Sequence, residues 1–191
     1  MPKRKPPTAG LSPAQMADLA APVSARVQIE QVILAETTAR RRPLFAKPPA
    51  ELSLAVTVET KTLKEDRVVQ VFPRFTLIGR DGPGGAEEML RIEALFVIRY
   101  RVATLDGITE ENIDAFGKMN GMYNVWPYWR EFVQSMTVRM GLPPLTMPVY
   151  GPLQGGIAQQ SEKDAPKKLA SQSAGQDAKS TQPVRRRRHP G

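Results

Sequence analysis

The sequence predicts an α+β fold: a four-stranded antiparallel β-meander followed by two helices packed on the sheet. Two observations lead to this prediction. Residues 26–104 contain four segments in which apolar residues alternate with polar ones, the period-2 pattern of β-strands. Residues 109–140 instead carry apolar residues at helical spacing. The expected order of elements is therefore β-β-β-β-α-α.

Composition limits the number of domains and the chemistry that the chain can carry. Its 191 residues suffice for one domain with tails. The absence of cysteine excludes disulfides and thiolate metal sites, and the single histidine, His189, excludes His-based triads and His-rich metal sites. No apolar run approaches the about 20 residues that span a membrane, and the first residues lack the apolar stretch of a secretory signal. We expect a cytoplasmic protein without a metal or cofactor.

The net charge of +8 divides unevenly and predicts three regions. Residues 1–25 carry +2, residues 26–151 carry +1 and residues 152–191 carry +5. The first region is a basic, proline-rich arm, expected to be mobile or weakly docked, with a short helix from Ser12 to Ala21 that Pro22 ends. The last region is poor in large apolar residues, so it cannot offset the entropy of ordering and is predicted to be a disordered basic tail.

The first two predicted strands differ in how clearly the apolar residues alternate. In the first, Val27, Ile29 and Ile33 fall on one face and Val32 and Leu34 on the other, and the strand ends at the basic run 40–42. The second alternates strictly, which is typical of a half-buried strand. Its apolar positions are Leu52, Leu54, Val56 and Val58.

The third and fourth predicted strands complete the sheet. A polar turn at 64–66 indicates a hairpin between the second strand and the third, which covers 68–78. Pro73 has no backbone N–H to donate to a neighbouring strand, which favours an edge position or a bulge for the third strand. The fourth strand shows the clearest alternation, from Leu90 to Val102, and its second face also becomes apolar at Leu95 and Val97.

Two helices are predicted after the sheet. Thr109 is a favourable N-cap for a short helix with acidic residues in its first turn. The second helix is expected to start after Gly121, with Asn124 near its cap and Pro127 in its first turn, and to end at Gly141.

Strands with apolar residues on both faces predict a surface for assembly or binding. The helices cover one face, and an uncovered apolar face of more than a few hundred Å² usually marks such a surface. The alternative is that the N-terminal arm or the connection at 43–51 folds over it. Oligomerisation is the expectation that we favour.

Candidate catalytic features have simpler structural explanations. The adjacent Arg130 and Glu131 are typical of a helical ion pair. The glycine-rich loop at 79–85 lacks the spacing of a phosphate cradle, and the acids Glu110, Glu111 and Asp114 fit a solvated helix start. We therefore predict that the protein is not an enzyme. Arg185–Arg188 would bind RNA, DNA or anionic lipid by counterion release, or serve only as a solubilising end.

Residues 120–150 resemble the signature of the SecB export chaperones. The signature has an Asn-hydrophobic-aromatic-Pro segment, then Arg-Glu, a helix with Ser and Arg near its end, Gly, and a run with Pro, Leu and Pro-Val. The spacing is kept without a gap, and the resemblance covers roughly residues 26–151. The matching residues are Asn124, Pro127, Arg130, Glu131, Ser135, Arg139, Gly141, Pro144, Leu145, Pro148 and Val149.

The resemblance implies an ATP-independent holdase that binds unfolded polypeptides or preproteins for export. It implies a homotetramer built as a dimer of dimers, delivery of clients to the SecA motor, and an apolar client groove. It also implies structural roles for the motif residues named above. This chain departs from the family in two respects: it is basic, and its sequence has no convincing counterpart of the family's last helix. By resemblance, the candidate groove residues are Phe116, Met119, Tyr123, Val125, Trp126 and Trp129. The alternative hypothesis is a nucleic-acid- or ribosome-associated protein that acts through its arginine tail.

Overall fold

A computed structural model describes residues 10–42, 48–82 and 87–150 of the chain. The strands are β1 (Val27–Arg41), β2 (Glu51–Leu63), β3 (Val68–Arg80) and β4 (Glu88–Val102). The helices are α1 (Pro13–Ser24), α2 (Glu110–Phe116) and α3 (Met122–Arg139), and the π-helical segment Gly117–Gly121 joins α2 to α3. The strands form one antiparallel sheet in the order β1-β4-β3-β2.

The predicted fold class is confirmed, but the order of the strands differs from a simple meander. β2, β3 and β4 follow one another as hairpins, whereas β1 pairs with β4 at the far edge of the sheet. The connection from β1 to β2 therefore joins the two edges of the sheet, which have two strands between them, and this gives a Greek-key order. Hydrophobic alternation identifies strands but carries no information on which strand lies next to which, so this feature was missed.

Two register shifts in β1 correct the predicted faces of that strand. The pairing with β4 slips between Ile29 and Gln31 and again between Leu34 and Glu36. Each extra residue turns the following side chains to the other face. Ile29 and Leu34 consequently lie on the same face as the helices, whereas Ile33 faces the opposite way with Val97.

Pro73 lies in a central strand, so its predicted edge position is wrong. β3 pairs with β2 on one side, where Pro73 is opposite Val58, and with β4 on the other. The ladder to β4 has no paired residues between Val71 and Arg74. The missing N–H of proline therefore coincides with a local interruption of the ladder.

α2, the π-helical segment and α3 run on without a break, so the predicted start of the second helix is also corrected. Pro127 lies inside α3, and Asn124 is not a cap. Two glycines of the π-helical segment allow it to lie directly on the sheet. A Cβ on Gly117 would be 2.4 Å from Thr60 Cγ2, and one on Gly121 would be 2.8 Å from Val71 Cγ1.

The N-terminal helix is longer and more firmly packed than predicted. Ser12 caps α1 as expected, and the helix continues past Pro22 to Ser24. Ala20 and Val23 are buried in the common core, and the Leu19 carbonyl accepts a hydrogen bond from Asn112 of α2 at 2.9 Å. The expectation of a mobile or weakly docked arm is therefore wrong for residues 13–24, because burial of these apolar residues outweighs the cost of a late proline.

The outer face of the sheet, which points away from α3, carries several ion pairs. Phe72, Leu95 and Val97 lie on the same face and are only partly exposed. Long arginine stems can cover such residues while the guanidinium groups stay in water. The pairs are Glu30 with Arg99 and Arg101, Glu36 with Arg74, and Arg91 with Glu88 and Glu93.

The charges on that face also change the acidity of its carboxyl groups. Burial favours a higher pKa for Glu30, but hydrogen bonds from Arg101 and Arg99 outweigh this effect and lower its pKa. The hydrogen bond from Arg91 lowers the pKa of Glu88. Both carboxylates are thus stabilised in the charged form that the pairs require.

The chain divides into the units Met1–Gln159 and Gln160–Gly191. The predicted basic tail, with Arg185–Arg188, lies outside the described residues, as do residues 83–85 of the glycine-rich loop.

Candidate functional site

The segment at 142–150 is fastened lengthwise along α3. It runs antiparallel to the helix, so that its last residues lie beside the helix start. Three side chains of α3 hold its backbone at intervals, and each of these bonds fixes a group that would otherwise lack a regular ladder partner. They are Trp126 Nε1–H to the Pro148 carbonyl at 2.8 Å, Arg130 Nε–H to the Met147 carbonyl at 2.9 Å, and the Leu145 N–H to Thr137 Oγ1 at 3.1 Å.

Trp126 joins this segment to the sheet. Its ring lies 6.1 Å from that of Phe75 in β3 and 5.3 Å from that of Tyr150. Phe75 also stacks on Trp129, with ring centroids 4.6 Å apart and an angle of 9° between the planes. The indole of Trp126 is nearly buried between these partners, so it has a fixed orientation.

Apolar residues of the edge strand β2 and of the start of α3 lie on the helix-covered side of the sheet. Val56 is directly opposite Phe75 in the register and remains 37% exposed. Tyr123 precedes Trp126 by one helical turn and is 67% exposed. We use the name β2 groove for five residues of this region: Val56 and Val58 of β2, and Met119, Tyr123 and Trp126 of the helical part.

The outer edge of β2 is not paired within the described chain, because β2 is the last strand of the sheet. Its backbone N–H and C=O groups therefore remain available along one side of the groove. An extended polypeptide can pair with a free edge of this kind through its backbone.

The six groove residues predicted by resemblance occupy different environments. Phe116, Val125 and Trp129 are buried in the core at 1%, 0% and 0% exposure, so they do not line a surface in this structure. Trp126 is nearly buried at 7% exposure, Met119 is partly buried against the core, and Tyr123 is exposed. Helical spacing alone does not separate residues that face the core from residues one position further around the helix.

Several motif residues have structural partners. The side-chain amide of Asn124 donates to the Tyr100 hydroxyl at 3.0 Å. Burial raises the pKa of Tyr100 to about 12, and the hydrogen bond from Asn124 offsets only part of that effect. Gly141 ends α3 with a φ of 69°, a conformation that favours glycine, and Arg41 donates to the Met140 carbonyl beside it.

Other motif residues are exposed. Pro127, Glu131, Arg139 and Pro144 face solvent. No internal contact of these four explains their place in the motif.

The free edge of β1 forms a second exposed apolar surface that the sequence did not reveal. Ile29, Ile33 and Leu34 are 45%, 38% and 41% exposed. We call these three residues the β1 margin. β1 is an edge strand, and its bulges place Ile29 and Leu34 on one face and Ile33 on the other. No periodic signal in the sequence marks a bulge.

Two kinds of site find no support among the described residues. In that part of the chain, no three His, Cys, Asp or Glu side chains are grouped so as to hold a metal ion. None of the helices between residues 10 and 150 that the structure describes is long and apolar enough to cross a membrane.

Comparisons with known proteins find similarity to SecB-like chaperones. No family model matches the chain. The SecB-like chaperone Rv1957 of Mycobacterium tuberculosis (strain ATCC 25618 / H37Rv) is 41% identical over 44 residues, which are 23% of this chain and 24% of that protein. The SecB-like chaperone MT2006 of strain CDC 1551 / Oshkosh gives the same values. The chain thus spans about a quarter of the length of the curated relatives that it matches.

The similarity of fold extends further than the similarity of sequence. The solved structure of the Rv1957 SecB-like chaperone in complex with a ChAD peptide from the Rv1956 HigA1 antitoxin covers 72% of this chain and 97% of its own. The TM-score is 0.61 and the sequence identity is 23%. The resemblance to the SecB-like family is therefore confirmed, in part of the sequence and in the fold.

Proposed function

We propose that this protein is a chaperone that holds unfolded polypeptides in the β2 groove without nucleotide. The observation that carries the proposal is the unpaired edge of β2, together with the exposed Val56 of that strand and the exposed Tyr123 of α3. The SecB-like relative that shares the fold was solved with a bound antitoxin peptide, which supports a polypeptide as the ligand.

The chemistry of the groove suits many client sequences. Aromatic rings provide large apolar contact areas, and the flexible thioether of Met119 adapts to different side chains. Backbone pairing with β2 does not depend on client sequence, so affinity and low specificity arise together. The family resemblance implies that the clients are preproteins for export. The protein would bind them in the cytoplasm.

The ion pairs on the outer face of the sheet are relevant to the binding of SecA. The family resemblance implies that acidic residues on the sheet help to recruit SecA. Here the carboxylates of Glu30, Glu36 and Glu93 are each engaged by an arginine. The proposal therefore rests on client binding and not on delivery to SecA.

We further propose that the chain assembles through β1, first as a dimer and then as a dimer of dimers. β1 offers a 15-residue strand with a free edge in the described chain. The β1 margin adds exposed apolar side chains to that edge, and pairing with a second copy would bury them.

Substitution of Tyr123 by aspartate tests the client groove. A charge at this exposed position should weaken client binding several-fold, because an apolar client segment would have to desolvate it. The assay is suppression of light scattering when a chemically unfolded client protein is diluted into buffer with the full chain. Tyr128→Asp is the matched control, since Tyr128 is 50% exposed on the same helix but faces another side.

The expected result is a loss of suppression for Tyr123→Asp and wild-type suppression for Tyr128→Asp, with circular dichroism showing both variants folded. Equal suppression by wild type and Tyr123→Asp would exclude the β2 groove as the client site.

A further inference from the structure

α1 packs mainly on α2 and on the π-helical segment. Its second half supplies the buried contacts, since Ala20 and Val23 are buried and Leu19 is partly buried against the core. The first turn of the helix, Pro13–Gln15, is exposed. The buried side chains that hold α1 in place are thus confined to one half of its length.

α2 packs against both the sheet and α1. Phe116 contacts the sheet, with its ring centroid 4.9 Å from that of Tyr100. Asn112 contacts α1, and its side-chain amide donates to the Leu19 carbonyl at 2.9 Å. Four of the seven residues of α2 are buried. Part of the surface of α2 is therefore covered by α1 and not by the sheet.

Asn112 connects α1 to the start of α2. Its side-chain oxygen accepts hydrogen bonds from the N–H and from the hydroxyl of Thr109, both at 2.9 Å. Its side-chain N–H binds the Leu19 carbonyl, so the same amide also holds α1. Because this acceptor is a backbone carbonyl, the bond does not depend on the side chain at position 19. Another polypeptide segment that lies in the place of α1 can offer the same acceptor.

The apolar contacts that hold α1 are small. Ala20 and Val23 have short side chains, and Pro22 removes one backbone hydrogen bond from the helix. Burial of so little apolar area offsets little more than the entropy that the twelve residues of α1 lose when they become ordered. We therefore expect α1 to detach locally while the sheet remains folded.

The chain is fixed again immediately after α1. The Arg26 carbonyl accepts a hydrogen bond from the Ala103 N–H at 2.9 Å, and the Arg26 side chain donates to the Asp106 carbonyl at 2.7 Å. β1 begins at the next residue, Val27. Detachment of α1 therefore requires a change of backbone conformation only near Ala25, and β1 stays in the sheet.

We propose that the surface of α2 and the π-helical segment beneath α1 is a second binding site for polypeptide clients, which α1 occupies when no client is bound. The segments that fit are short amphipathic helices with small apolar side chains, because α1 itself presents Ala20 and Val23 there. The site does not depend on the proposed function, whereas its use by clients rests on it. A client must displace α1, so α1 lowers the apparent affinity of the site.

A peptide of residues 11–25 tests the site. It is labelled with fluorescein, and its Kd for the full chain is measured by fluorescence anisotropy. Val23→Asp in the chain should detach α1 and lower this Kd about tenfold or more, because the attached helix no longer competes at a high effective concentration. Ala17→Asp is the matched control, since Ala17 is exposed on the same helix, and it should leave the Kd unchanged. A folded Val23→Asp chain that binds the peptide no more tightly than wild type would overturn the site. Equal binding of a peptide that itself carries Val23→Asp would also overturn it.

Hydrogen exchange of the wild-type chain tests the displacement without a substitution. The client is reduced, carboxymethylated α-lactalbumin, which stays unfolded in buffer. The amides of residues 16–24 should exchange at least about tenfold faster than those of β4, and several-fold faster again when the client is added. Equal exchange of α1 and β4 would overturn the local detachment.

The same experiment separates this site from the proposed function. If the client binds the full chain but exchange in α1 stays unchanged, the proposed function stands and the use of this site by clients is overturned. If the client does not bind while Val23→Asp still tightens binding of the peptide, the proposed function fails and the site stands.

Discussion

Replacement of Thr137 by valine removes the hydroxyl group that helps to attach the segment at 142–150. The side-chain volume is almost unchanged. Thr137 is 1% exposed, and its hydroxyl accepts the Leu145 N–H at 3.1 Å. It also donates to the carbonyls of Val133 and Gln134 at 3.0 Å, but both belong to α3 and lie at hydrogen-bonding positions of the helix. The main cost is therefore one partly buried N–H without a partner.

That cost is about 1–2 kcal/mol, since valine fills the same space and leaves no cavity. For a chain of this size, about 1 kcal/mol shifts the melting temperature by about 2–4 °C, so thermal unfolding by circular dichroism should show a decrease of about 2–8 °C. Hydrogen exchange should speed up most at the Leu145 amide. Thr57→Val, at an exposed position of β2, is the matched control and should change stability by less than about 0.5 kcal/mol. A Thr137→Val variant that melts like the control, or loses protection equally throughout the chain, would refute the proposed attachment.

Two further predictions concern stability and assembly. Because burial raises the pKa of Tyr100 to about 12, the folded state keeps its proton where the unfolded state loses it, and stability should fall by about 2 kcal/mol as pH rises from 10 to 12. Tyr100→Phe should abolish that part of the pH dependence in chemical denaturation, and an unchanged slope would contradict it. Leu34→Lys should convert the oligomer to smaller species in light scattering, whereas Thr57→Lys should not. A monomeric wild type at micromolar concentration would refute assembly through β1.

The sequence predicted the strands well because strict alternation reports directly on a sheet with one buried face. In β4, every second residue from Leu90 to Val102 is buried, as predicted. The strand order and the faces of β1 could not be predicted in the same way. They depend on a long crossover connection and on bulges after Ile29 and Leu34, which are set by tertiary pairing and leave no periodic trace.

The helical region shows a different limit of sequence reasoning. Gly121 and Pro127 usually signal the boundary of a helix, and here they lie within a continuous one. The glycines at 117 and 121 do not end the helix. They allow its backbone to lie close to Thr60 and Val71 of the sheet. The sequence therefore marked Gly121 and Pro127 as unusual, but the prediction of a helix boundary there was wrong.

Two residues of the motif that resembles the SecB signature take part in attaching the segment after α3. Arg130 holds the Met147 carbonyl, and Gly141 allows the turn that brings the segment back. This attachment places Tyr150 on Trp126, with ring centroids 5.3 Å apart. Tyr123 is exposed and takes no part in the three hydrogen bonds that attach the segment. Under the proposed function, the attachment therefore holds Trp126 in place, while Tyr123 and Val56 contact the client.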